Sequence, residues 1–243
     1  MTAQPQPSRS RGLFVSFEGT EGSGKSTQIQ KLAARLLAQG LRVRTIREPG
    51  GTPIGEEIRH LVKHSAANHA MCAESELLLM NASRAQLVHE VIQPALASGE
   101  VVLTDRFLDS TIVYQGYGRG LDLDRVGSVI DVAVGNTRPD LTLLLFVPLE
   151  VSERRRASRE LQTGPIRDRL EEAGREFFAR VEEGYRAIAR AEPDRIRWIA
   201  AEASVEQVGD QIWQIIAPRL GLSRNNSEEF LTRGRKGPEA QRS

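Results

Sequence analysis

The chain has 243 residues, of which 40% are hydrophobic, and a formal net charge of +1. That is enough apolar material for one large domain or two small ones, and the near-neutral balance argues against a nucleic-acid or membrane surface, so any basic chemistry must be local. The single cysteine, Cys72, excludes an internal disulfide framework and a cysteine-based zinc site. It is expected in the core, and a reducing cytoplasm is the expected compartment. No apolar run approaches the ~18 residues of a membrane span, and MTAQPQPSRSRG lacks the apolar region of a signal peptide.

Residues 1–12 are polar and read as a disordered arm. Leu13, Val15 and Phe17 suit a buried strand. Ile29, Leu32, Ala33, Leu36 and Leu37 then recur at helical spacing, with Gly40 placed to end the helix. Between them Gly19–Ser26 (GTEGSGKS) fit the phosphate-binding P-loop pattern without mismatch. Glycines let successive N–H groups turn inward on a phosphate, at a helix N-terminus whose dipole favours anions. Gly19, Thr20, Glu21, Gly22, Ser23, Gly24, Lys25, Ser26 and Thr27 form the expected nucleotide-binding loop. Lys25 would reach the β and γ phosphates and Ser26 would ligate Mg²⁺.

LRVRTIRE is a second expected strand, ending in the turn EPGGT, followed by a short helix over about Ile54 to Val62. A helical stripe through Leu77, Met80, Leu87, Val88 and Val91 ends at Gly99, with Pro94 kinking its last turn. EVVLTDRF supplies a third strand that stops at Asp105, the place of a Walker-B carboxylate able to hold Mg²⁺ near Ser26. Asp105 also suits a helix N-cap, and Arg106 suits either a phosphate or a structural carboxylate pair. Further helices are expected over about Leu108 to Tyr117 and Asp124 to Val134, and LTLLLFV reads as a central strand. A basic segment, Arg154 to Arg169, is broken by Gly164 and Pro165. A helix with Phe177, Val181 and Tyr185, the strand RIRWIA and a closing helix over Val205 to Leu220 complete the pattern. Strand and helix alternate about five times, which predicts an α/β doubly wound parallel sheet with ligands at the C-terminal strand edge. The tail, 222–243, reads as disordered.

Met80 and Arg84 stand four apart on one helix, as do Thr111 and Gln115 on another, so each pair faces one way. LLLMNASRAQ, DRFLDSTIVYQGYGRG and REPGGT, together with the P-loop, resemble bacterial thymidylate kinases over Leu13 to Leu220. The resemblance implies a P-loop nucleoside monophosphate kinase fold, with a five-stranded parallel sheet flanked by helices over residues 13–221 and a lid over about 154–169. It also implies a homodimer and Mg²⁺-dependent transfer of the γ phosphate of ATP to dTMP. By position, Arg84 would bond the thymine carbonyl, Thr111 and Gln115 would address the base edge, and Arg59 and Arg106 would hold the dTMP phosphate. Glu21 would lie near the deoxyribose 3′-hydroxyl and Tyr114 against the sugar. Where some members carry an arginine after the acidic P-loop residue, this chain has Gly22, and so it resembles the class that draws the arginine from the lid. Arg155, Arg159, Arg167 and Arg169 are candidates, and Arg159 and Arg169 join Lys25 and Asp105 as the expected catalytic set.

Two positions depart from the family pattern. Met80 replaces the aromatic residue that stacks on the base, and ELQTGPIR is longer than the usual lid connection. The nearest alternative is a kinase for dUMP, dCMP or AMP. A nucleotide-dependent switch is the more distant one, and a GTPase would want an Asn-Lys-x-Asp motif, whereas no Asn-Lys pair occurs.

Overall fold

The computed structural model describes residues 11–163, 169–170 and 173–223; of residues 159, 160, 162 and 163 it describes the backbone alone. The chain opens with β1 (Phe14–Glu18), α1 (Lys25–Ala38), β2 (Val43–Arg47), α2 (Pro53–Lys63) and a 3-10 turn (Ala66–Ala70). Next come α3 (Ala73–Leu87), a π-helical turn (Val88–Ile92), α4 (Gln93–Ala97) and β3 (Val101–Asp105). Then follow α5 (Leu108–Thr111), a second π-helical segment (Ile112–Gly118), α6 (Leu123–Val134), β4 (Leu141–Phe146) and α7 (Leu149–Thr163). The described chain closes with α8 (Arg175–Ala191), β5 (Ile196–Ala200), α9 (Val205–Ile216) and a 3-10 turn (Ala217–Leu220).

All strand pairings are parallel, in the order β2-β3-β1-β4-β5. The strand pattern follows from this order. β1 is buried along its whole length between β3 and β4, whereas β2 lies at an edge and exposes Arg44, Thr45 and Arg47. Strand alternation sends Val15 and Phe17 to one face, where they pack with Leu32 and Leu36 of α1 and Ile212 and Trp213 of α9. Phe14 goes to the other face, with Leu87, Phe107 and Ile130, and meets the Phe107 ring edge-on at 4.9 Å. A third cluster joins Tyr114 and Leu144 to Phe177, Val181 and Tyr185 of α8. Each such aliphatic or aromatic side chain contributes about 1.5–3 kcal/mol by burial.

The long helix before β3 adjusts earlier than the sequence suggests. Pro94 has no N–H and its ring crowds the carbonyl four residues back, at Glu90. The ladder widens before that point: Gln93 N–H bonds to Val88 O, and the π turn absorbs the mismatch that a kink in the last turn was expected to take. Cys72 also departs from expectation. It is exposed, and its Sγ caps α3 by accepting from Ser75 N at 3.5 Å, so it is not a core residue.

Of the expected arm, residues 1–10 lie outside the described chain, while Gly12 N–H bonds to Leu96 O at 2.9 Å and Arg11 pairs with Asp140 at 2.8 Å. Of the expected tail, 224–243 lie outside it, and Trp213 Nε1 donates to Ser223 O at 3.3 Å.

Asp109 at the start of α5 is fully buried and ties that helix to the sheet. It accepts from Thr142 Oγ1 at 2.8 Å and from both terminal nitrogens of Arg195, at 2.8 and 2.7 Å. Arg195→Ala would leave a buried carboxylate without its cation, and should lower stability by about 3 kcal/mol. Urea unfolding followed by circular dichroism measures this; an unchanged midpoint would show that Thr142 alone satisfies Asp109.

Candidate active site

The site lies where β1 and β3 end side by side, so that the loop after β1 faces the residues after β3. The P-loop leaves β1 at Glu18 and enters α1 through Gly24, whose φ of 94° is open to glycine without strain. Lys25, buried, donates to the carbonyls of Gly19 at 3.1 Å and Thr20 at 3.0 Å, and the buried Thr20 and Ser23 hydroxyls have no hydrogen-bond partner. Burial, with the charge of Arg106, pulls the Lys25 ammonium pKa down. Thr27 is exposed on the first turn of α1.

Ser26 and Asp105 come together as expected: Ser26 Oγ donates to Asp105 Oδ2 at 2.8 Å. A hydroxyl and a carboxylate at the phosphate loop are the hard oxygen donors that Mg²⁺ takes when phosphates and waters complete its octahedron. Two protein oxygens side by side fit a Mg²⁺ bound largely through a nucleotide.

Arg106 is the hub of the polar network beside the P-loop. It is the only non-glycine among the described residues with positive φ, 72°, and the turn is pinned by its neighbours. Arg106 N–H bonds to Phe17 O at 2.9 Å, Thr104 Oγ1 donates to Arg106 O at 2.7 Å, and Phe107 N–H bonds to Glu18 Oε1 at 2.8 Å. The guanidinium is thereby turned into the crevice. It donates to Glu21 Oε1 at 2.9 Å, Tyr114 Oη at 3.1 Å, Ser110 Oγ at 3.1 Å and Tyr185 Oη at 3.2 Å, and lies 4.9 Å from the Tyr114 ring centroid. Burial opposes its charge, but the tyrosine and glutamate oxygens around it raise its pKa further. For Glu21 burial likewise pulls upward, and the Lys25 and Arg106 charges outweigh it, holding the carboxyl well below the usual range. Tyr114 is pushed up to about 12, chiefly by burial.

Beside this hub opens a narrow cleft lined by Glu21, Glu48, Pro49, Lys63, Met80, Arg106, Ser110, Tyr114, Gln115, Leu170 and Phe178. Five of these, Glu21, Met80, Arg106, Tyr114 and Gln115, are residues the sequence pointed to. Arg84 and Thr111 form the layer beneath. Arg84 is fully buried, and its five N–H groups are directed at Glu48, Asn81, Thr111 Oγ1 and Phe107 O. Burial pushes the Glu48 carboxyl up to about 7 against the pull of Arg84. Arg59 donates to Pro49 O at 2.9 Å and so supports the turn that forms one wall.

The expected lid arginines separate. Arg155, on α7, donates to Gly22 O at 3.1 Å and to Ala201 O, while Ser152 Oγ donates to Glu21 O at 2.7 Å. The helix thus lies on the P-loop itself, and a Cβ at Gly22 would come within 3.1 Å of Arg155 Cβ. The Arg159 side chain, Arg167 and Asp168 lie outside what the structure describes. Arg169 is turned away from the P-loop: it pairs with the fully buried Glu76 and donates to Met71 O at 2.7 Å. A buried carboxylate demands a cation, and Glu76 takes both Arg169 and Arg119.

Residues that the sequence reading passed over are Glu18, Glu48, Lys63, Glu76 and Phe178. Glu76 stands one helical turn before Met80, on the same face, and that spacing could have flagged it. Glu48 ends the second expected strand and opens the turn motif, and neither place marks it as the partner of Arg84.

The thymidylate kinase family model matches residues 17–212. A thymidylate kinase of Syntrophotalea carbinolica is 46% identical over 211 residues, 86% of this chain and 97% of that protein. One from Pseudomonas syringae pv. tomato is 46% identical over 213 residues, covering 88% and 99%. The solved structure of thymidylate kinase from Ehrlichia chaffeensis superposes with a TM-score of 0.68 at 30% identity, covering 85% of this chain and 99% of that one. With the P-loop, the Asp105-Arg106 pair and the residues lining the cleft all inside the matched span, the chain belongs to the thymidylate kinase family.

Proposed function

We propose that the protein transfers the γ phosphate of ATP to dTMP, giving ADP and dTDP. The observation that carries this reading is the junction at Glu21 and Arg106: one carboxylate inside the phosphate loop is hydrogen-bonded to the arginine that opens the adjoining cleft. A donor phosphate on the loop and an acceptor phosphate at Arg106 would therefore meet. Phosphoryl transfer is governed by positioning and charge neutralisation. A phosphate monoester with a second pKa near 6 is largely dianionic at pH 7, so the nucleophile needs no strong base.

Lys25 would leave the Gly19 and Thr20 carbonyls for the β and γ phosphates. Ser26 and Asp105 would hold Mg²⁺, which neutralises phosphate charge when bound. Arg106 and Arg59 would bind the acceptor phosphate, Glu21 would stand by the 3′-hydroxyl and Tyr114 against the sugar. Met80 would contact the base face, with Gln115 at its edge and Arg84 and Thr111 behind it; Arg159 is the lid arginine best placed in sequence to reach ATP. Family membership supports a homodimer working in the cytoplasm, and the exposed Leu78, Leu123 and Val132 supply apolar surface for such a contact. No helix among the described residues is long and apolar enough to cross a membrane.

ADP release measured with a panel of dTMP, dUMP, dCMP and AMP tests the assignment; the expected result is turnover with dTMP well above the others. ADP release that needs no acceptor would overturn it. Lys25→Ala should lower turnover on the order of 10²- to 10³-fold while dTMP binding, measured by calorimetry, stays close to that of the parent. Met80→Phe should tighten dTMP binding by roughly two- to five-fold, because an aromatic face replaces a thioether contact. A titration showing no gain would mean that the base does not stack at this position.

A further inference from the structure

Glu76 reaches the acceptor cleft only through another side chain. It is fully buried, one turn before Met80 on α3, and its two oxygens take three partners. Gln115 Nε2 donates to Oε1 at 2.8 Å, Arg119 donates to both oxygens at 3.2 and 2.9 Å, and Arg169 donates to Oε2. Held between two guanidinium groups, this carboxylate offers acceptors only. The Gln115 amide is thereby fixed in one of its two orientations. Its NH₂ must face Glu76, because the reverse would set a carbonyl oxygen against a carboxylate oxygen in a buried site. What remains is the Gln115 carbonyl oxygen, buried in the wall of the cleft and without a hydrogen-bond partner.

We infer that Glu76 is a positioning residue that sets base selectivity: by locking the Gln115 amide, it presents the cleft with an obligate acceptor, and so selects a pyrimidine that carries a ring N–H. Thymine and uracil have that imide N–H; cytosine presents a lone pair at the same ring nitrogen and meets the carbonyl with repulsion. A buried acceptor left unpaired, or facing a second acceptor, discriminates far more strongly than an apolar pocket does. Arg119 and Arg169 serve the same end by keeping Glu76 an acceptor and Gln115 in one orientation. The inference rests on the proposed dTMP kinase activity and names the group that decides which base is taken.

The test compares kcat/KM for dTMP, dUMP and dCMP in the parent, Glu76→Gln and Glu76→Asp. The parent should favour dTMP over dCMP on the order of 10⁴-fold. In Glu76→Gln the new amide can face Gln115 with either end, so the Gln115 amide is free to flip; the dTMP to dCMP ratio should fall by about ten-fold or more. That loss should come from KM, with kcat for dTMP staying within about two-fold. Glu76→Asp keeps an acceptor-only group and should restore most of the ratio, which a loss of packing alone would not do. Should Glu76→Gln fail to fold by circular dichroism, Gln115→Leu removes the acceptor directly and should relax dCMP rejection to a similar degree. An unchanged dTMP to dCMP ratio in whichever variant folds overturns the inference while leaving the kinase activity standing. A parent protein that does not phosphorylate dTMP overturns both.

Discussion

The arrangement depends on one partly buried electrostatic contact, the hydrogen bond from Arg106 to Glu21 at 2.9 Å. It joins two chain segments that leave parallel neighbouring strands, and it holds the P-loop against the wall of the adjoining cleft. A guanidinium and a carboxylate partly withdrawn from water are each costly alone; together, with Tyr114, Ser110 and Tyr185 completing the arginine's donors, they satisfy one another. The unusual backbone at Arg106 belongs to the same device. A left-handed residue straight after a strand turns the side chain sideways over the sheet edge, and Glu18 anchors the next N–H so that this geometry persists.

Polar groups around the cleft form layers, each held by the next. Arg84 braces Glu48 and Thr111, Glu76 braces Gln115, and Glu18 braces Ser110 and Tyr185. Such buried networks fix orientation more than they add stability, because each member would be a liability if its partner moved. Orientation is what transfer between two bound phosphates requires.

Features encoded locally were legible in the sequence. The P-loop, the apolar strands β1, β3 and β4 and the facing pairs Met80/Arg84 and Thr111/Gln115 rest on periodicity and turn chemistry within a few residues, and the structure places them accordingly. Depth was not legible. Helical spacing puts Arg84 on the same face as Met80 but cannot show that Glu48 and Thr111, from distant segments, absorb its donors below the cleft floor. Arg169 was out of reach for the same reason. A basic residue in a polar segment reads as a lid charge until the buried Glu76 is known to need a cation. Lys63 and Phe178 enter the cleft from α2 and α8, whose sequence patterns record only amphipathic helices.

Gly22 is under a steric constraint. Its α-carbon faces the backbone of α7, with Ser152 O and Arg155 Cβ within 3.2 Å of where a side chain would begin, and its φ of 74° disfavours one in any case. A side chain at this position would need α7 to draw back by a few tenths of an ångström and the backbone to hold a strained φ. The residue at position 22 and the docking of α7 are therefore coupled, so that a substitution in the loop is felt in the seating of the helix.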